Sequence, residues 1–200
     1  MKRVVALVGV SGSGKTTLLD GLKKRLSDEC RVIDEVTKGE ILKYCDLDFF
    51  SKFGVREQTK FDIGRVEHQM LYEQQEITSS KEQIIIIDKP VPCALLYVLS
   101  MSSRYITDSN IDRLVAEVED HCSNMYDLIV YLPFAKFDTK RDGLSRNVTN
   151  QFVLEVQDVA LQRILTWTST PVTMLPPIGV QARIQSVLDK LSVIDVVKAS

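Results

Sequence analysis

The sequence of 200 residues predicts an α/β fold, a three-layer α/β/α sandwich in which helices cover both faces of a parallel five-stranded sheet. Apolar, strand-like runs alternate with helix-like segments, and this order is typical of parallel sheets joined by right-handed crossovers. The clearest run, 83–89, carries four successive isoleucines, as expected for a strand that is covered on both faces. The length suits one domain over 1–200.

Each element follows from a local pattern. The predicted strands are short apolar runs bounded by glycine, acidic residues or proline. The predicted helices have apolar residues three and four positions apart, and an example is the set Leu18, Leu19, Leu22 and Leu26. Strands are predicted at 4–8, 30–35, 83–89, 126–133 and 171–176. Helices are predicted from near Lys15 and at 56–79, 95–99, 148–167 and 178–192, with a further start at Asp108 or Ser109. Pro90 and Pro92 are expected to delay the helix that follows the third strand.

A glycine-rich turn follows the first predicted strand. Residues 9–16 read GVSGSGKT and fit the Walker A pattern G-x-x-x-x-G-K-[ST] between a strand and a helix, which is the context that the motif requires. Glycines let the backbone N–H groups converge on phosphate oxygens at a helix N-terminus. Lys15 is expected to reach the β- and γ-phosphates, and the Thr16 hydroxyl to bind Mg²⁺. The residues predicted to hold a nucleoside triphosphate are Gly9, Ser11, Gly12, Ser13, Gly14, Lys15, Thr16 and Thr17.

Acidic residues stand at the ends of two further strands. Ligands of open parallel sheets bind beyond the carboxyl ends of the strands, and this rule brings Gly9, Glu35, Asp88 and Pro133 to one edge. Asp88 is expected to bind Mg²⁺ opposite Thr16. A carboxylate of the pair Asp34 and Glu35 could accept a proton from an attacking hydroxyl, bind Mg²⁺ or bind a sugar hydroxyl. The strand alternation does not decide between the two acids.

The segment after the fourth strand, 134–147, is predicted to be a lid. Its cationic residues, Arg141 and Arg146 among them, surround Gly143 and would stabilise the phosphoryl group in transfer while the lid excludes water. A surface loop with ordinary charges is the alternative.

The long helix offers a second group of charges. Asp62, Arg65 and Gln69 are spaced to share one face, so Arg65 either reaches a substrate or lies on a solvated surface. A basic stripe of Lys52, Arg56 and Lys60 would suit DNA, although charge runs of this kind are usually only solvated.

Composition excludes several function classes. A net charge of −2 and a pI near 5.8 argue against a protein coated in positive charge. The four cysteines and two histidines have no zinc-site spacing, and the thiols are expected to be reduced. No stretch approaches the roughly 20 apolar residues of a membrane span. We therefore expect a cytoplasmic protein (in the host cytoplasm if viral) with no membrane partner; its oligomeric state stays open.

Several segments in order carry a family resemblance: GVSGSGKTT, DEVTKGEIL, FDIGRVEHQMLYEQQE, IIIIDKP followed by ALLY, and YLPF followed by RDGLSRN. Nearly the whole chain resembles small P-loop kinases of the AAA type, including the ribosylnicotinamide kinase domain of bacterial NAD regulators and phage nucleoside and nucleotide kinases. The resemblance favours Glu35 over Asp34 and matches Asp88 to the acid of a D-R pair, whose arginine is Lys89 here. Asp142 and Arg146 match the lid.

The resemblance implies a kinase that moves the γ-phosphoryl group of ATP, with Mg²⁺, to a nucleoside, a nucleotide or a modified nucleobase hydroxyl. Lys15, Glu35, Asp88, Arg141 and Arg146 would carry the chemistry, and either Glu35 or Asp88 would orient or deprotonate the acceptor. Arg65 and Lys89 would join Glu35 at the acceptor. A phage kinase that phosphorylates 5-hydroxymethyluracil within DNA is the alternative. A regulatory P-loop NTPase without a small-molecule acceptor is a further alternative. The guanine-specific motif N-K-x-D does not occur in the sequence, which disfavours a GTPase.

Overall fold

The computed structural model describes residues 2–35, 55–102, 107–134 and 151–199. These residues form five strands and six α-helices. The elements are β1 (Arg3–Val8), α1 (Lys15–Leu26), β2 (Cys30–Ile33), α2 (Val55–Ser79), β3 (Ile84–Asp88), α3 (Val91–Tyr97), α4 (Asp108–Met125), β4 (Leu128–Tyr131), α5 (Gln151–Leu165), β5 (Val172–Met174) and α6 (Val180–Ala199). A 3₁₀ turn, Ser27–Glu29, precedes β2, and a π-helical segment, Val98–Ser102, follows α3.

The five strands form one parallel sheet in the order β2-β3-β1-β4-β5, which confirms the predicted fold class. Strand β1 lies in the centre, with Val5 opposite Ile86 on one side and Leu128 on the other. Because all neighbours run in the same direction, the carboxyl ends of the strands meet at one edge. This edge receives the turn after β1, the end of β2 and the acid that ends β3.

Alternation along the strands divides the core into two apolar clusters, one on each face of the sheet. Ala6 and Ile87 point toward the face that α2, α3, α4 and α5 cover, and Leu7 and Ile86 point toward the face under α1 and α6. All four side chains are fully buried. The near-continuous apolar runs in β1, β3 and β4 therefore reflect burial on both sides, as the three-layer sandwich requires.

Helix α3 begins earlier than the sequence suggested. The expectation that Pro90 and Pro92 delay this helix is wrong, because α3 starts at Val91 with Pro92 inside its first turn. The first turn of a helix has N–H groups without intrahelical partners, so a proline there removes no helix hydrogen bond. The early start places α3 directly after the acidic end of β3.

Two further expectations concern the sulfur chemistry and the membrane. Within the described ranges the cysteines Cys30, Cys93 and Cys122 are all free thiols. Burial raises the pKa of the Cys30 and Cys93 thiols to about 11, so both are packing groups rather than nucleophiles at neutral pH.

In the part of the chain that the structure describes, we find no helix with the length and apolar character of a membrane span.

Candidate functional site

The turn between β1 and α1 wraps around the N-terminus of α1. Gly14 forms the N-cap of this helix with φ 91°, a left-handed conformation that glycine adopts without steric cost. A Cβ atom on Gly9 would lie 2.5 Å from the backbone oxygen of Leu132, so only glycine fits where β1 ends beside β4. The loop thus has the shape that the Walker A pattern predicts.

Lys15 lies inside this loop. Its side chain is buried, and Nζ donates hydrogen bonds to the carbonyl oxygens of Gly9 (2.5 Å) and Val10 (2.9 Å) and to Ser13 Oγ (3.3 Å). These contacts hold a positive charge in the turn at the N-terminus of α1, where backbone N–H groups and the helix dipole also favour an anion. Thr16 and Thr17 follow on the exposed first turn of α1.

Asp88 lies next to the loop, because its partner across the sheet, Leu7, is two residues before Gly9. Its Oδ1 is buried and accepts no hydrogen bond from any residue that the structure describes. Burial raises the pKa of this carboxyl group, and the ammonium groups of Lys15 and Lys89 partly offset the rise. A buried carboxylate oxygen without a donor is costly unless a cation or another partner satisfies it.

Mg²⁺ is a cation that these residues fit. It prefers oxygen ligands and is commonly held by one or two carboxylates together with substrate phosphates and water. Asp88 offers the carboxylate, and the Thr16 hydroxyl is exposed on the first turn of α1. Among the described residues no group of three or more histidine, cysteine or acidic side chains could enclose a metal by itself. The site therefore suits a cation that arrives with its phosphates.

Glu35 follows β2 at the same edge of the sheet. Its carboxylate accepts a hydrogen bond from Lys89 Nζ at 2.5 Å, and Arg65 NH2 lies 3.7 Å from its other oxygen. Arg65 also pairs with Asp62 at 3.8 Å and lies over the ring of Tyr97, with 5.6 Å between the guanidinium carbon and the ring centroid.

Glu35, Arg65 and Lys89, the three residues predicted to contact the acceptor, therefore lie together, although they come from the segment after β2, from α2 and from the segment after β3. Lys89 adopts a left-handed φ of 53°, which is uncommon for a residue with a side chain. Asp34, the alternative to Glu35, is solvent-exposed. Both acids lie close enough to Asp88 to raise the pKa of its carboxyl group.

Other predicted residues lie outside the described part of the chain. The lid segment is described only at its first residue, Phe134, so the positions of Arg141, Arg146 and Asp142 remain sequence predictions. The same holds for Lys52, and for the side chains of Arg56 and Lys60.

Among the described residues, Arg183 and Glu73 are two of the buried charged side chains that the sequence patterns did not single out. Arg183 on α6 donates to the carbonyl oxygen of Ser13 in the phosphate loop, at 3.2 Å. Glu73 on α2 is fully buried and accepts hydrogen bonds from four donors, which are Gln69 Nε2, the Val91 N–H, His121 Nε2 and the Tyr126 hydroxyl. No motif marks either residue, because their partners are distant in sequence or lie on other elements.

Comparison with known proteins agrees with this fold. A family model described as an AAA domain matches residues 4–183. Among proteins with curated functions, none matches this chain by sequence. Many solved structures match its fold.

The matching structures are distant in sequence but cover most of this chain. The NadR protein in complex with NR is 18% identical, with a TM-score of 0.61, over 87% of this chain and 45% of the NadR chain. The chain thus spans less than half of NadR. Deoxyadenosine kinase from M. mycoides with bound dATP is 13% identical, with a TM-score of 0.60, over 94% of this chain and 99% of that one. Thymidylate kinase from Ehrlichia chaffeensis is 15% identical, with a TM-score of 0.62, over 95% and 98%. These likenesses confirm the fold, a parallel five-stranded sheet between two layers of helices.

Proposed function

The chain belongs to the AAA-domain family whose model matches residues 4–183, and we propose that within it the protein is an ATP-dependent phosphotransferase. It would move the γ-phosphoryl group of ATP to a hydroxyl or phosphate oxygen of a nucleoside or nucleotide. The proposal combines two neighbouring sites at one edge of the sheet. The phosphate loop with Lys15 would hold ATP, and the cluster of Glu35, Lys89 and Arg65 would receive the acceptor.

The observation that carries the proposal is the position of Glu35. A phosphate loop alone serves switches, motors and kinases equally. A carboxylate that two cations hold beside Asp88, at the edge where the phosphates would end, is what the transfer to a hydroxyl needs. Lys89 and Arg65 fix this carboxylate while leaving it partly accessible, with 18% of its side-chain surface exposed.

In the proposed reaction an acceptor hydroxyl oxygen forms a bond to the γ-phosphorus of ATP. The bond between that phosphorus and the β–γ bridging oxygen breaks, and ADP leaves with the electron pair. Glu35 takes the proton of the attacking hydroxyl, while Lys15 and the loop N–H groups neutralise charge on the phosphates. Mg²⁺, when bound by Asp88, Thr16 and the phosphates, would neutralise charge on the β- and γ-oxygens. Arg141 and Arg146 of the lid would add guanidinium groups at the transferred phosphoryl.

The structural neighbours support nucleosides and nucleotides as the acceptor class. These neighbours include a deoxyadenosine kinase, thymidylate kinases and the NadR protein in complex with NR. We place DNA containing 5-hydroxymethyluracil second, since its support is the predicted basic stripe at Lys52, Arg56 and Lys60. A regulatory NTPase comes third, because it gives Glu35 no role.

The first experiment follows label from the γ-phosphate of ATP, with Mg²⁺, into a panel of acceptors. The panel contains nucleosides, nucleotides, nicotinamide riboside, plain DNA and DNA with 5-hydroxymethyluracil. Label on a small molecule supports the proposal and identifies the acceptor class. Label on modified DNA alone would replace it with the DNA alternative, and label released only as inorganic phosphate would contradict both.

The role of Glu35 is tested with a matched pair of variants. Glu35→Gln removes the proton acceptor but keeps the shape of the side chain, and we expect kcat to fall by about 10²–10⁴-fold, the usual contribution of a general base. Asp34→Asn removes the neighbouring exposed carboxylate and is expected to leave kcat near the wild-type value. The opposite ranking would move the proton-accepting role to Asp34.

A further inference from the structure

Arg183 connects the last helix to the phosphate loop. It lies in the first turn of α6, where only 3% of its surface is exposed. Its Nε donates to the carbonyl oxygen of Pro176 at 2.9 Å, and its NH1 donates to that of Ser13 at 3.2 Å. One planar guanidinium group therefore joins the segment after β5 to the phosphate loop, although Arg183 and Ser13 are 170 positions apart in the sequence.

The contact falls on the part of the loop that shapes the phosphate site. Ser13 is fully buried, and its hydroxyl oxygen accepts a hydrogen bond from Lys15. Gly14, the next residue, adopts the left-handed N-cap conformation, and a Cβ atom there would lie 3.1 Å from NH1 of Arg183. The buried guanidinium thus packs directly against the Ser13–Gly14 peptide.

Helix packing holds Arg183 in place. Residue Ile184 of α6 packs against Gly21 of α1 so closely that a Cβ atom on Gly21 would lie 2.2 Å from Ile184 Cδ1. The N–H of Arg183 also donates to Gly179 O at 3.1 Å at the start of α6. Because Ile184, the residue after Arg183, packs directly on α1, α6 holds the guanidinium close to the N-terminus of α1.

We propose that Arg183 is a positioning residue for nucleotide binding, which fixes the Ser13–Gly14 turn in its phosphate-binding shape and adds a buried positive charge behind it. This inference rests on the proposed function only in taking the loop as a nucleoside triphosphate site. An arginine suits both tasks, since its rigid fork can bond two carbonyl oxygens at once while it carries charge. A buried charge is also screened less by salt than a surface charge.

The two tasks can be separated by substitution. Arg183→Gln removes the charge and most of the fork. By analogy with residues that position the ligands of a metal ion, we expect the Kd for Mg²⁺·ATP to rise by roughly 10–100-fold. Arg183→Lys keeps the charge but cannot make both bonds in the same geometry, so its Kd should lie between those of Arg183→Gln and wild type. Gln181→Ala, on an exposed position of the same helix, is the control and should bind ATP as wild type does.

Binding is measured by calorimetry and by the thermal shift that Mg²⁺·ATP produces, so the test does not depend on an acceptor. In steady-state kinetics kcat/KM for ATP should fall while the KM of the acceptor stays unchanged. An Arg183→Gln protein that is less stable but binds ATP with wild-type Kd would overturn the inference, since it would show a purely structural role. If that variant does not fold, Arg183→Lys decides, and a wild-type Kd there would have the same meaning.

The same measurements separate this inference from the proposed function. Wild-type protein that binds ATP but phosphorylates no acceptor would contradict the phosphotransferase while leaving the role of Arg183 to be decided by the Kd values. Wild-type protein that binds no nucleoside triphosphate would overturn both.

Discussion

The buried carboxylate of Glu73 allows a stability prediction with a magnitude. An ionised carboxylate has about four acceptor sites, and all four are used here. Gln69 and the Val91 N–H donate to Oε1 at 2.8 and 3.1 Å. His121 donates to Oε2 at 3.0 Å, together with the Tyr126 hydroxyl. The carboxylate therefore joins α2 to the start of α3, to α4 and to Tyr126, the residue that caps the C-terminus of α4.

Glu73→Gln keeps the shape of the side chain but replaces Oε2 by an NH₂ group. Two donors, His121 and Tyr126, then face another donor and must turn to accept instead. Hydrogen bonds to a charged group contribute about 1.5–3 kcal/mol each, and part of the loss of two is regained by this reorientation. We expect the free energy of unfolding to fall by about 2–4 kcal/mol, which corresponds to a Tm lower by roughly 4–16 °C for a chain of this size.

The assay is urea unfolding followed by circular dichroism, with thermal unfolding as a second measurement. Glu117→Gln is the matched control, because Glu117 forms an exposed ion pair with Arg113 one helical turn away, at 2.6 Å. Exposed pairs contribute about 1 kcal/mol or less. If the two variants lose the same small amount of stability, the four donors do not stabilise the Glu73 carboxylate as the contacts indicate.

Three further predictions concern the phosphate site. Lys15→Ala should lower phosphoryl transfer by orders of magnitude while the circular dichroism spectrum stays native, because the lysine carries the positive charge of the loop; retained activity would exclude this loop as the catalytic one. Gly9→Ala should lower the free energy of unfolding in urea by about 1–3 kcal/mol, since its Cβ would meet the backbone oxygen of Leu132. Its control is Gly64→Ala, at a helical position with nothing within 4 Å, which should raise the free energy of unfolding by roughly 0.5–1 kcal/mol. Asp88→Asn should abolish Mg²⁺-dependent transfer without lowering the Tm of the nucleotide-free protein, because its buried Oδ1 accepts no hydrogen bond from the described residues; a large loss of Tm would show that the carboxylate has a structural partner.

Local sequence patterns predicted the sheet and the phosphate loop because short-range physics determines both. Four successive β-branched residues at 84–87 fit a strand that is covered on two sides, and the glycines of the loop fit a turn onto a helix N-terminus. One rule of topology placed Glu35 and Asp88 at the same edge of the sheet. The ion pair of Glu35 with Lys89 became visible only in the structure, where β2 and β3 are neighbouring strands.

The contacts of Arg183 and Glu73 could not be predicted in this way. Glu73 lies in a helix rich in glutamate and glutamine, where nothing local distinguishes it from its exposed neighbours. Its partners His121 and Tyr126 are 48 and 53 positions away, and they reach it only after α4 packs against α2. The contacts of Arg183 could not be predicted for the same reason, because they form only when α6 packs closely on α1. The prolines led to a wrong helix start, since Pro92 was expected to delay α3 but lies in its first turn.

The dependence of ADP formation on an acceptor tests the central claim most directly. Purified protein is incubated with Mg²⁺ and ATP, and ADP is measured with and without each nucleoside and nucleotide. The proposed phosphotransferase should form little ADP alone. With its acceptor, ADP should rise to saturation and equal the amount of phosphorylated acceptor. Rapid ADP formation that no acceptor changes would contradict the account and show that the phosphate loop belongs to an NTPase.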